Sequence, residues 1–471
     1  CRSQGSDDEI VLAGVNTYTG KTTIACASTV IVGQEGSLSP HTEVEVEIDS
    51  HYRLLSSDQI AALTGEGVVE LDLGSILSVG DDRESFQFDG QLTSSSGGGL
   101  TKLGLSKFLV RSDNALQYNG PTTVEAGVID FGSTAQDVQS LVVEGPGAVS
   151  GGRLVVGTLK NNGQIKVESL VGTADGNIFD NANGSIEITG SANIDLKEGD
   201  DIFLTSSALG LSGSVDGGEG EDVVKFGSSE RGEFRAAKIK NFERAEQLFG
   251  SWDYDGDFKA SGIETMTLKG GVMDILDSQQ ATFEHFVMEG GQIYASLNSK
   301  NSAPLVADSF DYRGGQLTIA AADQAEPEGT FTILDVPVSS QGEMNELAAN
   351  AKLFFDGAEG DFSGIGIENG IEGSAIYDVY LQEGSLQLVV AKKSADEVVE
   401  DLDCSTSDDE VEQICEPGSP GEDLVEEILE DVLDQVDLPV ITDESLAELF
   451  ISGLASRNID GPGRGMATYN N

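Results

Sequence analysis

The chain has 471 residues, with 82 acidic and 26 basic side chains, so its formal net charge is −56. A surface this acidic repels nucleic acid and anionic lipid, and we expect neither as a partner. Abundant glycine, frequent Val, Ile, Thr and Ser, and few aromatic residues favour short strands with tight corners over helices. No apolar run approaches the ~20 residues that a membrane-spanning helix needs.

Residues 1–11 are polar and are predicted to precede the folded part of the chain. The four cysteines form two sequence-local pairs, Cys1 with Cys26 and Cys404 with Cys415. An even number of closely spaced cysteines predicts two short disulfide loops formed in an oxidising compartment. The alternative is that Cys1 is the lipid-modified terminus of a lipoprotein, which would leave Cys26 unpaired.

Residues 12–392 repeat one pattern, a Gly or Asn-Gly corner followed by alternating apolar and polar residues. The corners recur about every 20 to 25 residues, a period typical of stacked repeats. The alternation indicates strands with one buried face, and glycine provides backbone angles that a Cβ forbids. We therefore predict an all-β fold, a right-handed parallel β-helix of roughly 17 turns. A tandem of β-sandwiches would show shorter strand spacing in larger blocks. Corners stand at Gly127, Gly151, Gly163, Gly184, Gly270, Gly290 and Gly314.

Two segments share a closing pattern of Tyr, Gly and a Thr pair. Within residues 97–132 it follows a Gly-rich corner and alternating apolar runs, and a shorter copy lies within 12–32. The two copies are Tyr18-x-Gly20-x-Thr22-Thr23 and Tyr118-x-Gly120-x-Thr122-Thr123. Both resemble the passenger-associated repeat of bacterial autotransporters, which export an extracellular β-helix through their own outer-membrane barrel. The resemblance implies transit through the periplasm, with that barrel as partner, and a cell-surface or extracellular location.

Residues 240–275 also resemble a pair of autotransporter turns, and 330–392 resemble the C-terminal cap of such passengers. After residue 392 the composition changes. Residues 393–421 are predicted to be an acidic linker holding the Cys404–Cys415 loop. Residues 422–471 are predicted to be a helical linker, because Leu424, Ile428, Val432 and Val436 recur at helical spacing. The resemblance implies that this linker leads to an outer-membrane barrel, absent from the sequence.

The last residues are Asn470 and Asn471. In one autotransporter subgroup the passenger is released when an Asn cyclises, and this ending resembles that product. The alternative is that the boundary of the sequence was simply drawn at this point.

A catalytic triad needs a base held against a nucleophile. The three histidines, His41, His51 and His285, stand near no nucleophile-elbow pattern. His285 lies in an alternating stretch, which predicts a surface residue of a strand. Acid pairs on a groove would suit polysaccharide cleavage, but 82 acids make chance pairs common.

Two acidic segments are candidate sites for calcium as a cofactor. Asp222 lies in Gly217–Val224, which fits the Gly-Gly-x-Gly-x-Asp repeat, with a partial echo at Gly199-Asp200-Asp201. The second candidate is Asp253, Asp255 and Asp257 with Glu264 at the twelfth position, as in an EF-hand loop. Phe258 occupies the sixth position of this loop pattern, where the sharp turn of an EF-hand needs Gly. The alternative for both is an acidic corner of the β-helix.

The sequence therefore predicts a non-enzymatic passenger, displayed on or released from a Gram-negative cell surface. It would act as an adhesin or a structural surface protein, and its partner would be a ligand on a host or neighbouring cell, or a second copy. One alternative is a secreted hydrolase or lyase on a β-helix scaffold. Another is a self-associating module of a surface layer or biofilm, assembled through exposed strand edges.

Overall fold

The fold is known from a computed structural model, which describes residues 8–392 with internal gaps. The gaps are 73, 191–192, 207–212, 276–279, 297–302, 322–328, 338–340, 349–350, 356–357, 362–376 and 383–386. Cys1 and the predicted linker segments 393–421 and 422–471, with Cys404, Cys415, Asn470 and Asn471, lie outside the described residues.

The chain is a parallel β-solenoid of about 14 turns, which confirms the predicted all-β parallel β-helix. Its first strands are β1 (Glu9–Leu12), β2 (Thr22–Ile24), β3 (Thr29–Val32), β4 (Glu43–Val46), β5 (His51–Leu54), β6 (Asp58–Ile60), β7 (Ala62–Gly65), β8 (Val68–Leu71), β9 (Ile76–Val79), β10 (Phe86–Phe88), β11 (Gln91–Thr93), β12 (Gly99–Lys102), β13 (Lys107–Val110), β14 (Leu116–Gln117), β15 (Pro121–Val124), β16 (Gly127–Asp130) and β17 (Gln136–Val143). The middle strands are β18 (Gly147–Asn161), β19 (Gln164–Val171), β20 (Ile178–Asn181), β21 (Ser185–Ile188), β22 (Ile194–Asp195), β23 (Ile202–Thr205), β24 (Val215–Asp216), β25 (Val223–Gly227), β26 (Gly232–Arg235), β27 (Ile239–Lys240), β28 (Arg244–Phe249) and β29 (Ser251–Asp257).

The later strands are β30 (Thr265–Leu268), β31 (Val272–Ile275), β32 (Ala281–Met288), β33 (Gln292–Ser296), β34 (Leu305–Tyr312), β35 (Gln316–Ala321), β36 (Gly329–Thr332), β37 (Leu334–Asp335), β38 (Ala351–Phe355), β39 (Ala358–Asp361), β40 (Tyr377–Gln382) and β41 (Gln387–Lys392). The described helices are α1 (Gln341–Ala348) and a 3₁₀ turn at Ala236–Lys238. Strand β1 starts inside the segment 1–11 that was predicted to precede the solenoid.

The chain divides into two compact units, one formed by Cys1–Val272 with Thr282–Phe286 and the other by Met273–Ala281 with Val287–Asn471. In the first unit, strands one turn apart pair in parallel and in register. The buried faces of successive strands therefore lie one above another, and their side chains form columns along the core. One such column, through strands β3, β5, β8, β11 and β14, consists of Val30, Tyr52, Val69, Leu92 and Leu116.

Glycine is required where adjacent turns approach closely. Gly65 ends β7 with φ +101°, and a Cβ there would lie 2.1 Å from the carbonyl oxygen of Val46 in the preceding turn. No side chain fits that contact or favours that backbone angle. The predicted corner at Gly163 is similar, because a Cβ there would lie 2.2 Å from the carbonyl oxygen of Gly147, so stacking as well as local turn preference requires glycine.

Aromatic side chains fill the core where the first unit ends. The Phe226 and Phe234 rings stack with centroids 4.2 Å apart, and Phe258 stacks on Phe234 and on Phe283 at 5.0 Å each. Trp252 packs edge-on against Phe226 at 4.8 Å and is fully buried. The stack joins β25, β26 and β29, and β25 also carries residues of the candidate site.

The second unit ends differently from the prediction of parallel turns up to residue 392. Strands β33, β35 and β38 still pair in parallel, but β38 then forms an antiparallel hairpin with β39. Strands β36, β41 and β40 form a separate antiparallel sheet. Since these strands add no parallel turns, the solenoid has about 14 turns instead of the roughly 17 predicted.

Candidate functional site

A β-bulge on the outer surface of the first unit is the most distinctive local feature of the solenoid. Strands β25 and β28 pair in register up to Phe226 opposite Gln247, and then Gly227 lies opposite Phe249. The extra residue is Leu248. Bulges bend a strand and redirect its side chains, and they are frequent beside functional sites. Here the bulge turns Phe249 outward, and 54% of its surface is exposed.

The Phe249 ring lies against the backbone of Gly227. A Cβ on Gly227 would lie 2.6 Å from Cε1 and 2.7 Å from Cδ1 of that ring, so only glycine permits this position. The carbonyl oxygen of Phe249 accepts a hydrogen bond of 3.1 Å from Nε1 of the buried Trp252. The exposed ring therefore stands on a backbone that the core holds in place.

A groove of about 470 Å³ runs beside Phe249. Its apolar walls are Leu204, Leu248 and Phe249, and its polar rim combines hydroxyl and amide side chains with Lys225 and Glu230. This volume is within the ~300–1,000 Å³ typical of small-ligand sites. The polar residues of the rim include Asn183, Thr205, Lys225, Ser228, Ser229 and Glu230.

The charge of Lys225 in this groove is compensated. Its Nζ lies 3.2 Å from Oε2 of Glu246, and Nζ of Lys269 lies 3.0 Å from the same oxygen. Burial raises the pKa of Glu246, but the hydrogen bonds from Lys269 and Lys225 outweigh it, and the net pKa is lowered. Glu246 therefore stays ionised, and the groove offers no isolated positive charge to an anion.

A column of carboxyl groups lies elsewhere on the first unit. Oδ1 of Asp222 accepts a hydrogen bond from the backbone N–H of Asp201 at 2.8 Å, and Oδ1 of Asp201 accepts one from the N–H of Asn177 at 2.5 Å. Oε2 of Glu243 accepts one from the N–H of Asp222 at 2.6 Å. Each acidic side chain thus caps a backbone donor of the preceding turn.

Asp201 and Asp222 are fully buried, and their Oδ2 atoms make no hydrogen bond. Burial, followed by repulsion from Asp222 and Asp200, raises the pKa of Asp201 to about 6, although hydrogen bonds from Asn177 lower it. Burial also raises the pKa of Asp222 to about 6, with repulsion from Glu243, Asp200 and Asp216, against the hydrogen bond from Asp201. Both carboxyl groups are therefore partly protonated in mildly acidic solution.

A calcium site of the Gly-Gly-x-Gly-x-Asp type predicted at Asp222 needs ligands from successive turns. The two turns do stack in register, with Glu198 opposite Glu219. However, Oδ1 of Asp222 is occupied by a backbone donor, and no cluster of three or more His, Cys, Asp or Glu suitable for a metal ion occurs among the described residues.

The EF-hand-like calcium candidate is not formed. Asp253, Asp255 and Asp257 lie in the continuous strand β29 instead of a loop. Alternate residues of a strand are ~7 Å apart and point the same way, so their carboxylates do not converge on one ion. Asp253 instead pairs with Arg231, whose Nε donates to Oδ1 at 2.7 Å. Phe258, where such a loop needs Gly, is buried in the aromatic stack.

The repeated Tyr-x-Gly-x-Thr-Thr motif has a definite local structure in both copies. The Tyr18 hydroxyl lies 2.6 Å from Oγ1 of Thr22, and the Tyr118 hydroxyl lies 2.7 Å from Oγ1 of Thr122. Gly120 passes against the preceding turn, where a Cβ would lie 2.4 Å from the Gly98 oxygen, whereas Gly20 has open space. The second Thr of each copy, Thr23 and Thr123, points outward on its strand.

The three histidines occupy different elements of the solenoid. His51 is in β5, with Nδ1 2.8 Å from Oε1 of Glu70 in β8, and the pair is on an outer face. His285 is in β32, as the alternation predicted, and His41 lies in the exposed segment before β4. Cys26 is disulfide-bonded, and its predicted partner Cys1 lies outside the described residues.

The bulge, Phe249 and Lys225 are not among the features predicted from the sequence. One signal was available, because Leu248-Phe249 breaks the alternation that Ala245 and Gln247 establish in β28.

Within the part of the chain that the structure describes, no helix has the length and apolar character needed to cross a membrane. No protein-family model, curated protein or solved structure matches this chain.

Proposed function

We propose that this chain is the exported passenger of an autotransporter, displayed on or released from a Gram-negative cell surface, and that it acts without catalysis as an adhesin. The observation that carries the binding role is the groove beside Phe249. An aromatic ring held half exposed by a bulge and a glycine is a contact surface, not a packing element. The parallel solenoid and the two Tyr-x-Gly-x-Thr-Thr copies support the export route.

A binding role accounts for the geometry better than an enzymatic one. Glu246, the partner of the groove residue Lys225, is neutralised by two lysines, which removes it as a general acid or base. The buried acids Asp201 and Asp222 cap backbone donors within the solenoid. His51 faces Glu70 on an open strand face instead of a cleft that excludes water.

Two measurements test this function. Antiserum against the purified chain is applied to intact and lysed producing cells, with external protease digestion in parallel. Labelling of intact cells, lost after digestion, is expected for a surface passenger, and labelling of lysed cells alone would refute export. Producing cells are then compared with a gene-deleted strain for attachment to other bacteria and to host cells. Equal attachment by both strains would refute the adhesin role.

A further inference from the structure

The groove beside Phe249 has a composition that identifies the chemistry of its ligand. One wall is an aromatic ring, 54% exposed, and next to it lie Leu204 and Leu248. The rim carries hydroxyl and amide groups from Asn183, Thr205 and Ser228. A suitable ligand therefore has one apolar face and a border of hydrogen-bonding groups.

Ionic ligands do not suit this groove. Lys225 is paired with Glu246, and Glu230 adds a negative charge to the rim. The chain as a whole has a formal net charge of −56, which repels anions at long range. Lys225 and Glu230 bring one charge of each sign into the lining, so the groove favours neither an anion nor a cation. The ligand that remains is uncharged.

The polar groups of the rim are held in place. Oγ of Ser228 accepts a hydrogen bond of 3.0 Å from the N–H of Glu230, so its own hydrogen is available to donate into the groove. Nδ2 of Asn183 donates to Oδ1 of Asn162 at 3.3 Å, which leaves its carbonyl oxygen as an acceptor. Lys225 has further N–H donors besides the one directed at Glu246.

We propose that this groove binds a neutral saccharide. A pyranose ring has a face of C–H groups, which would stack on Phe249, and a border of hydroxyls, which Asn183, Lys225 and Ser228 would hydrogen-bond. The open volume of about 470 Å³ accommodates a short saccharide segment. This inference rests on the proposed function, because it names the ligand class of the same groove.

The test uses the purified full chain and immobilised glycans, with neutral glucans, galactans, mannans and chitin oligomers beside anionic hyaluronan and heparin. Hits are then titrated in solution by calorimetry. Binding to at least one neutral glycan and to neither anionic one is expected. Retention by no neutral glycan, or by the anionic ones alone, overturns the inference.

Variants locate the site. Phe249→Ala is expected to weaken neutral-glycan binding roughly 5- to 10-fold, the range of a lost aromatic contact, while Phe249→Trp retains it. Gly227→Ala is expected to weaken it as well, because the new methyl group displaces the ring. The matched control is Leu105→Ala, an apolar residue 71% exposed on another turn. Circular dichroism checks the fold, and equal affinity of Phe249→Ala and the parent chain overturns the assignment.

Failure of this inference and failure of the proposed function give different results. A chain that is exported and promotes attachment, but binds no neutral glycan through Phe249, refutes only the saccharide. A chain that stays inside the cell or promotes no attachment refutes the function, even if glycan binding is measured with the purified protein.

Discussion

At the scale of single residues, the buried carboxyl groups make stability depend on pH. Asp201 and Asp222 have pKa values of about 6 in the folded chain, above the ordinary 3.8 that they regain on unfolding. Because the pKa is raised in the folded chain, protonation of these groups stabilises the fold. The stabilisation has its full value below pH 3.8 and is lost as the pH rises through about 6. The column therefore opposes folding at neutral pH and favours it in mild acid.

Asp222→Asn tests this directly. The amide oxygen still accepts the hydrogen bond from the N–H of Asp201, but the side chain no longer ionises. Between pH 5 and pH 7 the parent chain is expected to lose on the order of 1 kcal/mol more unfolding free energy than the variant. The measurement is urea unfolding at both pH values, with the exposed Glu219→Gln as control. Parallel pH profiles for parent and Asp222→Asn would contradict the account.

The two copies of the tyrosine motif form a natural comparison of burial. Tyr118 and Thr122 are buried, and burial raises the pKa of Tyr118, whereas Tyr18 is 41% exposed. Tyr118→Phe removes the partner of the buried Thr122 hydroxyl, and we expect a cost of about 1–3 kcal/mol. Tyr18→Phe leaves Thr22 in reach of water and of Thr42, so we expect less than ~0.5 kcal/mol. Chemical unfolding measures both, and equal costs would show that the motif stabilises the fold by other contacts.

At the scale of elements, the aromatic rings of the stack and the ring at the bulge have different roles. The rings of the stack are buried in the core, whereas Phe249 at the bulge is exposed. Phe258 is fully buried between Phe234 and Phe283, so Phe258→Ala opens a cavity at an expected cost of about 3–5 kcal/mol. Phe249→Ala removes a ring that lies mostly in solvent, and we expect a cost under ~0.5 kcal/mol. Thermal and urea unfolding of the two variants measure the difference. A large loss for Phe249→Ala would show that its ring is part of the packing.

The elements also show what the sequence could and could not reveal. Alternation and Gly corners specify strands and stacking, because the core column from Val30 to Leu116 needs only one buried face per turn. The bulge at Gly227 is different, since it arises from pairing with a strand one turn away. The aspartates of β29 match the ligand spacing of a loop because spacing in sequence ignores strand direction. The alternating Trp252, Tyr254 and Phe258 indicate a strand with a buried face. The repetition of the acidic pattern at Asp201 and Asp222 is visible in the sequence. Which backbone donors these carboxyl groups cap depends on the register between turns, which the pattern does not specify.

At the scale of the whole molecule, the net negative charge of −56 produces repulsion between the acidic side chains. With 82 acidic and 26 basic side chains, the carboxylates outnumber the basic groups by 56. Exposed ion pairs such as Lys166 with Glu187 contribute little individually. Added salt shortens the screening length from ~10 Å at 0.1 M to ~3 Å at 1 M, which weakens repulsion over the whole acidic surface.

We therefore expect sodium chloride to stabilise the chain against urea, an uncharged denaturant. Raising the salt from 0.1 to 1 M is expected to shift the unfolding midpoint upward by about 0.5 M, or ~1 kcal/mol at a typical slope. A downward shift would mean that ion pairs, not repulsion, dominate. Calcium chloride at matched ionic strength separates screening from specific binding. Equal shifts with both salts are expected from screening alone, whereas a larger shift with calcium that Asp222→Asn abolishes would establish an ion site in the carboxyl column.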